Sequence, residues 1–316
     1  MAVVLMQKSR GLKGPPGSVS SQRHRGVSGR DLHMPSSTNG RLTGERPLLG
    51  ITPDSLLALH EAGYRIVRER IGSGRILDVG CGHGFESVRF LAPGNEVVGI
   101  DYSSEAAAAA LASYGAQGLS VAQMDALALG IRTGSFDGVC SSHLIEHFTD
   151  PEPHVAELAR VVGDEGVVCI LTPNKTADFE NPFHRHLFDR DDLQAMLGRH
   201  FGEVRLQGLD AVEEVKAHFE ARRKKATRLL KIDVLDLRHR LPHTWYVWAY
   251  TRLLPLAYKL LASDEVGGVT GITADDWFVT DDLDDTTPLL FAVARKPRRV
   301  EPAQTVGATA STLVTT

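Results

Sequence analysis

Residues 76–84, Ile-Leu-Asp-Val-Gly-Cys-Gly-His-Gly, restrict the fold more than any other part of the chain. The apolar run reads as a strand covered on both faces, and the alternate glycines let the backbone turn sharply and approach a ligand where a Cβ would stand in the way. The expected continuation is a helix. Val97-Val98-Gly99-Ile100-Asp101 then places an acid at the end of a second strand, 21 residues after Gly80. A carboxylate in that position suits a two-oxygen grip on ribose hydroxyls.

The rest of the sequence keeps the same alternation. Helical spacing over 55–71 leads into the strand 75–79, and a strand at 96–100 is followed by an Ala-rich helix at 104–114. Strands at 119–122 and 136–141, a helix at 153–161, a strand at 166–171, a helix at 190–197 and a strand at 203–206 come next. A last apolar strand at 288–294 stands about eighty residues further on, too far for a plain loop. The pattern predicts an α/β fold, a Rossmann-like seven-stranded mostly parallel sheet with helices on both faces and a helical insertion before the last strand. In domains, this gives a disordered arm over 1–50, a cofactor-binding core over 51–208, a helical insertion or substrate cap over 209–287, the last core strand over 288–296 and a disordered tail over 297–316.

Composition narrows the classes of function. The arm carries eight basic residues against Asp31 and Glu45, with Gly, Pro and Ser throughout, which is the composition of a solvated tail; a targeting arm or a start of translation at Met34 are the alternatives. A net charge of −4 argues against a protein whose whole surface binds nucleic acid. Cys81, Cys140 and Cys169 each fall in an apolar run, so free thiols in a reducing cytoplasm are expected rather than disulfides. No apolar run reaches the ~18 residues of a transmembrane segment, and the opening MAVVLM is too short for a signal-peptide core.

Four blocks taken in order resemble the class I S-adenosylmethionine-dependent methyltransferases, in particular the small-molecule branch that includes ubiquinone-type O-methyltransferases. They are LDVGCGHG at 77–84, GIDYS at 99–103 with Gln123-Met124-Asp125-Ala126, Phe136-Asp137-Gly138-Val139 with His143-Leu144-Ile145-Glu146-His147, and Leu171-Thr172-Pro173-Asn174. The resemblance implies S-adenosyl-L-methionine as cofactor. By position, Gly80, Cys81, Gly82 and Gly84 would bring backbone against its methionine end, with Asp78 near the cation. Asp101 would bind the ribose, Tyr102 would lie against the adenine, Asp125 would accept from the adenine amino group beside the Ala126 backbone, and His143 would border the site. A nicotinamide-dependent oxidoreductase is disfavoured because its fingerprint needs a glycine at 85, where this chain has Phe. A module that holds the cofactor without catalysis remains open.

Methyl transfer to a hydroxyl also requires a proton acceptor titrating near neutrality, and histidine suits that task. The candidates are His143, Glu146 and His147 after the fourth strand and His184 in Asn181-Pro182-Phe183-His184, with His147 the leading choice. A structural hydrogen bond is the competing role for each. A metal set from His143, Glu146 and His147 is a minor alternative, and with no Cys/His zinc spacing in the chain no metal is expected. The Asn/Asp-Pro-Pro-aromatic block of DNA amino-methyltransferases is missing after the fourth strand, where Ser141-Ser142-His143-Leu144 stands, so nucleic acid is disfavoured as substrate.

The insertion carries nine basic residues between Lys216 and Arg240, then Trp245-Tyr246-Val247-Trp248-Ala249-Tyr250 and leucines at helical spacing, then eight acids between Asp264 and Asp285. A substrate cap is the first reading. The second is peripheral contact of 216–261 with lipid head groups at the inner membrane face, which would suit a lipid-linked acceptor. A small-molecule or lipid-linked acceptor, methylated at oxygen, is therefore the expectation.

Overall fold

The computed structural model describes residues 46–49, 52–178, 181, 183–230, 252 and 271–299, with backbone alone for 225–230. The arm over 1–45, the Trp245 to Tyr250 run with the leucines at helical spacing after it, and the tail beyond 299 lie outside the described residues.

Within them the expected alternation forms. Helix α1 spans Asp54–Ile71, and strands β1 and β2 span Arg75–Val79 and Glu96–Asp101. Helix α2 covers Ser104–Tyr114, β3 Ser120–Gln123, β4 Phe136–Ser142, α3 Glu152–Val161, β5 Val162–Pro173 and α4 Arg190–His200. Strand β6 runs over Phe201–Ala211, α5 over Glu213–Leu230, β7 over Trp277–Thr280 and β8 over Leu289–Pro297. The sheet order is β3-β2-β1-β4-β5-β8-β6-β7. Strands β3, β2, β1, β4 and β5 are parallel, β8 runs antiparallel to both β5 and β6, and β7 pairs antiparallel with β6.

Alternation along the strands builds a core on each face. Ile76 of β1 and Cys169 and Leu171 of β5 join the cluster with Leu59 and Val67 of α1 and Val215 of α5. Leu77 and Val79, with Val168 and Ile170, enter the opposite cluster with Val155 and Leu158 of α3 and Leu193 and Leu197 of α4. Each of these aliphatic side chains, fully buried, contributes on the order of 1.5–3 kcal/mol. Apolar residues on both strand faces are what a sheet covered on two sides requires.

Three features differ from expectation. The sheet has eight strands rather than seven, because Trp277–Thr280 adds an edge strand inside the stretch expected as helical insertion. Its four residues, set between acidic pairs, are too few to show a period. Strand β5 starts at Val162, four residues before the expected point, and its ladder with β4 shifts register between Phe136 and Gly138. The glycine turn runs not into an α-helix but into one 3₁₀ turn, Ser87–Phe90. Pro93-Gly94 stops the chain too soon for a longer helix.

The order reverses between β1 and β4, each of which is followed by strands on its own side of the sheet. Such a switch point opens a crevice at the carboxyl ends of the strands. One buried histidine braces its rim. His154 of α3 places Nε2 2.9 Å from Ser141 Oγ on β4 and Nδ1 3.1 Å from the carbonyl oxygen of Ala126, in the loop after β3. Burial pushes its pKa down to about 4. In the unfolded chain it titrates near 6.5, so between about 6.5 and 4 the unfolded state binds more protons and this residue removes stability as pH falls. The stability difference between the parent chain and His154→Gln, measured by urea unfolding, narrows by about 2 kcal/mol between pH 7 and pH 5; an unchanged difference contradicts a neutral buried ring.

Candidate functional site

The crevice is lined on one side by the turn after β1. Gly80, Gly82 and Gly84 have φ of 84°, 53° and 78°, a region open to glycine at little cost. The close packing is equally specific. A Cβ on Gly80 would lie 3.0 Å from Leu144 Cδ2, which shows that this turn touches the one after β4, while a Cβ on Gly82 would meet only the Arg46 side chain.

The turn's backbone donors serve the protein itself. The N–H groups of Gly80 and Cys81 both donate to the Ile100 carbonyl, that of Gly84 to the Cys81 carbonyl, and that of Gly82 to Asp101 Oδ2 at 3.0 Å. A loop that cradles phosphates aims such groups at the ligand and continues into a helix whose N-terminus adds favourable dipole. This turn does neither, so it suits a ligand without phosphate. The nicotinamide alternative loses its support here.

Asp101, at the end of β2, is 4% exposed, and its Oδ1 also accepts from the Ser103 N–H at 2.8 Å. Arg46 adds a two-toothed ion pair, with Nη2 2.9 Å from Oδ1 and Nε 3.3 Å from Oδ2. Hydroxyls that bind this carboxylate therefore displace or share the guanidinium. Tyr102 beside it is 72% exposed, an aromatic face ready to cover an adenine. Asp125 is also exposed, with Oδ1 accepting from the Leu127 N–H, and lies in the loop whose Ala126 carbonyl is pinned by His154. Two buried polar atoms at the crevice, His83 Nδ1 and Ser142 Oγ, have no protein partner. Open space at Gly82, a carboxylate at the rim, an exposed ring and orphaned polar atoms fit an adenosine-bearing ligand.

Other expected contacts are used inside the fold. The Asp78 carboxylate is fully buried and accepts from Tyr64 Oη (3.1 Å) and Ser87 Oγ (2.5 Å), and burial raises its pKa to about 6. The Cys81 side chain packs on β2, where a Cβ at Gly99 would stand 2.9 Å from its sulfur, and burial pushes its thiol well up, which suits packing rather than chemistry.

On the opposite side of the crevice the structure gathers all four candidate catalytic residues. His143 has φ of 52°, uncommon for a residue with a Cβ, and its N–H donates to the Leu171 carbonyl. Its ring lies 4.4 Å from that of His60 on α1, and its Nδ1 is 3.6 Å from Glu146 Oε1. Glu146 is completely buried, with Oε2 accepting from Thr172 Oγ1 at 3.1 Å and Oε1 facing His143 Nδ1. Burial raises its pKa, but the surrounding histidines, His143 foremost, outweigh that and bring it to about 2. The Glu146 carbonyl accepts from the N–H groups of Arg185 and His186, which draws the loop after β5 onto this turn. His147 Nδ1 lies 3.0 Å from the Phe183 carbonyl, His184 Nδ1 2.9 Å from Asp178 Oδ2, and the two rings are 5.4 Å apart. Ligand atoms of Glu146, His147 and His184 come within 4.8 Å of one another.

Arg46, His60, Thr172 and Asp178 belong to this site and were not expected from the sequence. His60 and Tyr64, four residues apart on α1, share one face of that helix, and that was the available signal. Arg46 sits among other arginines of the arm with nothing local to distinguish it.

The family described as "Methyltransferase domain" matches residues 77–170. Residues 77–170 form a class I S-adenosylmethionine-dependent methyltransferase domain. Over 163 residues the chain is 28% identical to a Mycobacterium tuberculosis protein named "Probable S-adenosylmethionine-dependent methyltransferase", covering 49% of this chain and 59% of that one. It is 31% identical over 136 residues to a protein of Xanthomonas oryzae pv. oryzae named "Ubiquinone biosynthesis O-methyltransferase", covering 42% and 54%. A protein of the same name from Aromatoleum aromaticum is 36% identical over 104 residues, covering 32% and 44%. The chain thus spans about half the length of the curated relatives it matches. A solved methyltransferase structure from Thermotoga maritima aligns over 77% of this chain and 91% of its own at 13% identity, with a TM-score of 0.49. Among the described residues no helix is long and apolar enough to cross a membrane.

Gly84 offers a direct check on the turn. A Cβ there meets Ala110 Cβ and Leu119 Cδ2, both at 3.0 Å, in a left-handed conformation. Gly84→Ala therefore lowers unfolding free energy by about 2–4 kcal/mol in denaturant titration; a loss under 0.5 kcal/mol contradicts the placement.

Proposed function

We propose that the chain is a methyltransferase that transfers the methyl group of S-adenosylmethionine to an oxygen of a small-molecule or lipid-linked acceptor. The observation that carries this reading is the pairing, across one crevice, of a rim carboxylate held by backbone N–H groups with a cluster of histidines. Asp101 would hold the ribose, Tyr102 and the loop of Asp125 and Ala126 the adenine, and the turn from Gly80 to Gly84 the methionine end. When bound, the cofactor supplies an electrophilic methyl on a sulfonium. The chain's task is then to align the acceptor, exclude water and take up a proton.

We assign proton uptake to His143 in preference to His147. His143 is held in a backbone conformation that costs on the order of 1–3 kcal/mol, a strain that persists where the surroundings impose it and that gathers at active sites. The Glu146 carboxylate beside it orients the ring, as the acid of a His–carboxylate pair does. The names of the ubiquinone-pathway relatives agree with an oxygen acceptor, and the histidines give its proton somewhere to go.

Titration calorimetry is expected to give saturable binding of S-adenosylmethionine, and Asp101→Ala to weaken it at least tenfold; equal affinities would falsify the assignment of the ribose site. With methyl-labelled cofactor and a fractionated extract of polar and lipid metabolites, His143→Asn lowers kcat about 10²–10⁴-fold with cofactor affinity retained. Label in the lipid phase identifies a lipid-linked acceptor, and label in the polar phase a small soluble one. Tight cofactor binding with no labelled product in either phase supports a non-catalytic module instead.

A further inference from the structure

We propose that the edge of β6 over residues 202–206 is a docking surface for a second copy of this chain, which adds its own β6 antiparallel in a register centred on Val204. This surface is independent of the methyl-transfer reading. The edge is open because β7 is short. Strand β6 runs over Phe201–Ala211, but β7 pairs with it only from Gly208 to Ala211. Among the described residues no other strand lies on that side of β6. An open groove of about 610 Å³ runs there instead, and its lining includes Gln194 of α4 with Gly202, Glu203, Val204, Arg205 and Gln207.

Hydrogen bonds on both flanks of β6 fix which backbone groups face the groove. In antiparallel pairs, successive residues turn their N–H and C=O alternately to one neighbour and to the other. The Val212 N–H donates to the Asp276 carbonyl, so Gly208, Asp210 and Val212 face the β7 side. On β8's far side the Pro288 carbonyl accepts from the Asn174 N–H, so Leu290 and Ala292 face β5. The odd-numbered residues of β8 then face β6, opposite Glu203, Arg205 and Gln207. Gly202, Val204 and Leu206 therefore turn their N–H and C=O outward, where the Gln194 side-chain amide lies 3.5 Å from the Val204 carbonyl. Such a row of outward backbone groups is a template for another strand.

Charge selects a second copy as the occupant. A twofold axis through Val204 pairs Val204 with Val204 of the second copy and Gly202 with its Leu206, so all three outward residues are used. An axis at Leu206 runs the copy into β7 at Gly208, and one at Gly202 runs it into the end of α4 at His200. In the Val204 register, Glu203 of each copy stands opposite Arg205 of the other, in the non-hydrogen-bonded positions where side chains come closest. An edge kept single by charge carries one sign, which repels its own copy; this one carries a self-complementary pair. Both side chains are exposed. Their present partners, Asp281 for Arg205 and Lys296 for Glu203, form surface ion pairs that contribute little and yield readily to new ones. Strands β5 and β6 both run antiparallel to β8, so residues 202–206 lie toward the amino ends of the parallel strands, away from the crevice.

Sedimentation velocity of the full chain from about 1 to about 200 µM is expected to show a reversible monomer–dimer equilibrium, weak because the paired segment is short. Val204→Pro removes an outward N–H that an edge strand can spare, and abolishes the dimer. Glu203→Arg and Arg205→Glu each set like charges opposite one another and weaken association at least tenfold. The double variant Glu203→Arg/Arg205→Glu restores it, because each new charge again meets its opposite. Circular dichroism and cooperative urea unfolding establish that each variant is folded; where Val204→Pro is not, the charge variants decide. Hydrogen exchange reads the register, with the Val204 and Leu206 amides protected only at concentrations where the dimer forms. A parent chain that stays monomeric at the highest concentration overturns the proposal, as does a dimer that survives in folded Val204→Pro or a double variant that associates no better than the single ones. Protection of the Val204 and Leu206 amides in the monomer assigns the edge to a segment of the chain itself and overturns it equally.

Discussion

The arrangement at the carboxyl edge of the sheet depends on one carboxylate, Asp101, being placed nearly buried at the end of β2. The Gly82 and Ser103 N–H groups supply the hydrogen bonds that make this tolerable. Gly82 can reach it only because the turn after β1 takes left-handed φ at three places, which a side chain at any of them would oppose. The turn can lie there only because β1 and β2 are adjacent in parallel register, from Arg75 opposite Glu96 to Val79 opposite Ile100. Charge placement, backbone strain and strand pairing are thus one constraint seen at three levels.

The spending of donors within the turn separates this crevice from a phosphate-binding one. Four N–H groups of the turn are satisfied inside the protein, and one short 3₁₀ turn replaces the helix that would point its dipole at an anion. What remains open to a ligand is a carboxylate, an exposed tyrosine and polar atoms of His83 and Ser142. Such a site selects a cationic or neutral nucleoside over a pyrophosphate. The opposite wall brings Glu146 together with His60, His143, His147 and His184.

The sequence showed those parts of the molecule that are set by neighbours along the chain. The strands from β1 to β4 were visible as apolar runs, and the glycine turn, Asp101 and the His143 to His147 block stood at the ends of those runs. Edge strand β7 was hidden because four residues between Asp275-Asp276 and Asp281-Asp282 show no alternation; it exists through pairing with β6 and the packing of Trp277 on Phe219. The helix expected after the glycine turn was cut short by Pro93. Arg46, His60 and Asp178 act through partners 55, 83 and 6 residues away respectively, and no local pattern announces contacts of that kind.

The most direct test of the account is a side-by-side equilibrium dialysis of S-adenosylmethionine and NAD against the full chain. The account predicts saturable uptake of S-adenosylmethionine near one equivalent and none of NAD. Retention of NAD with no uptake of S-adenosylmethionine contradicts it.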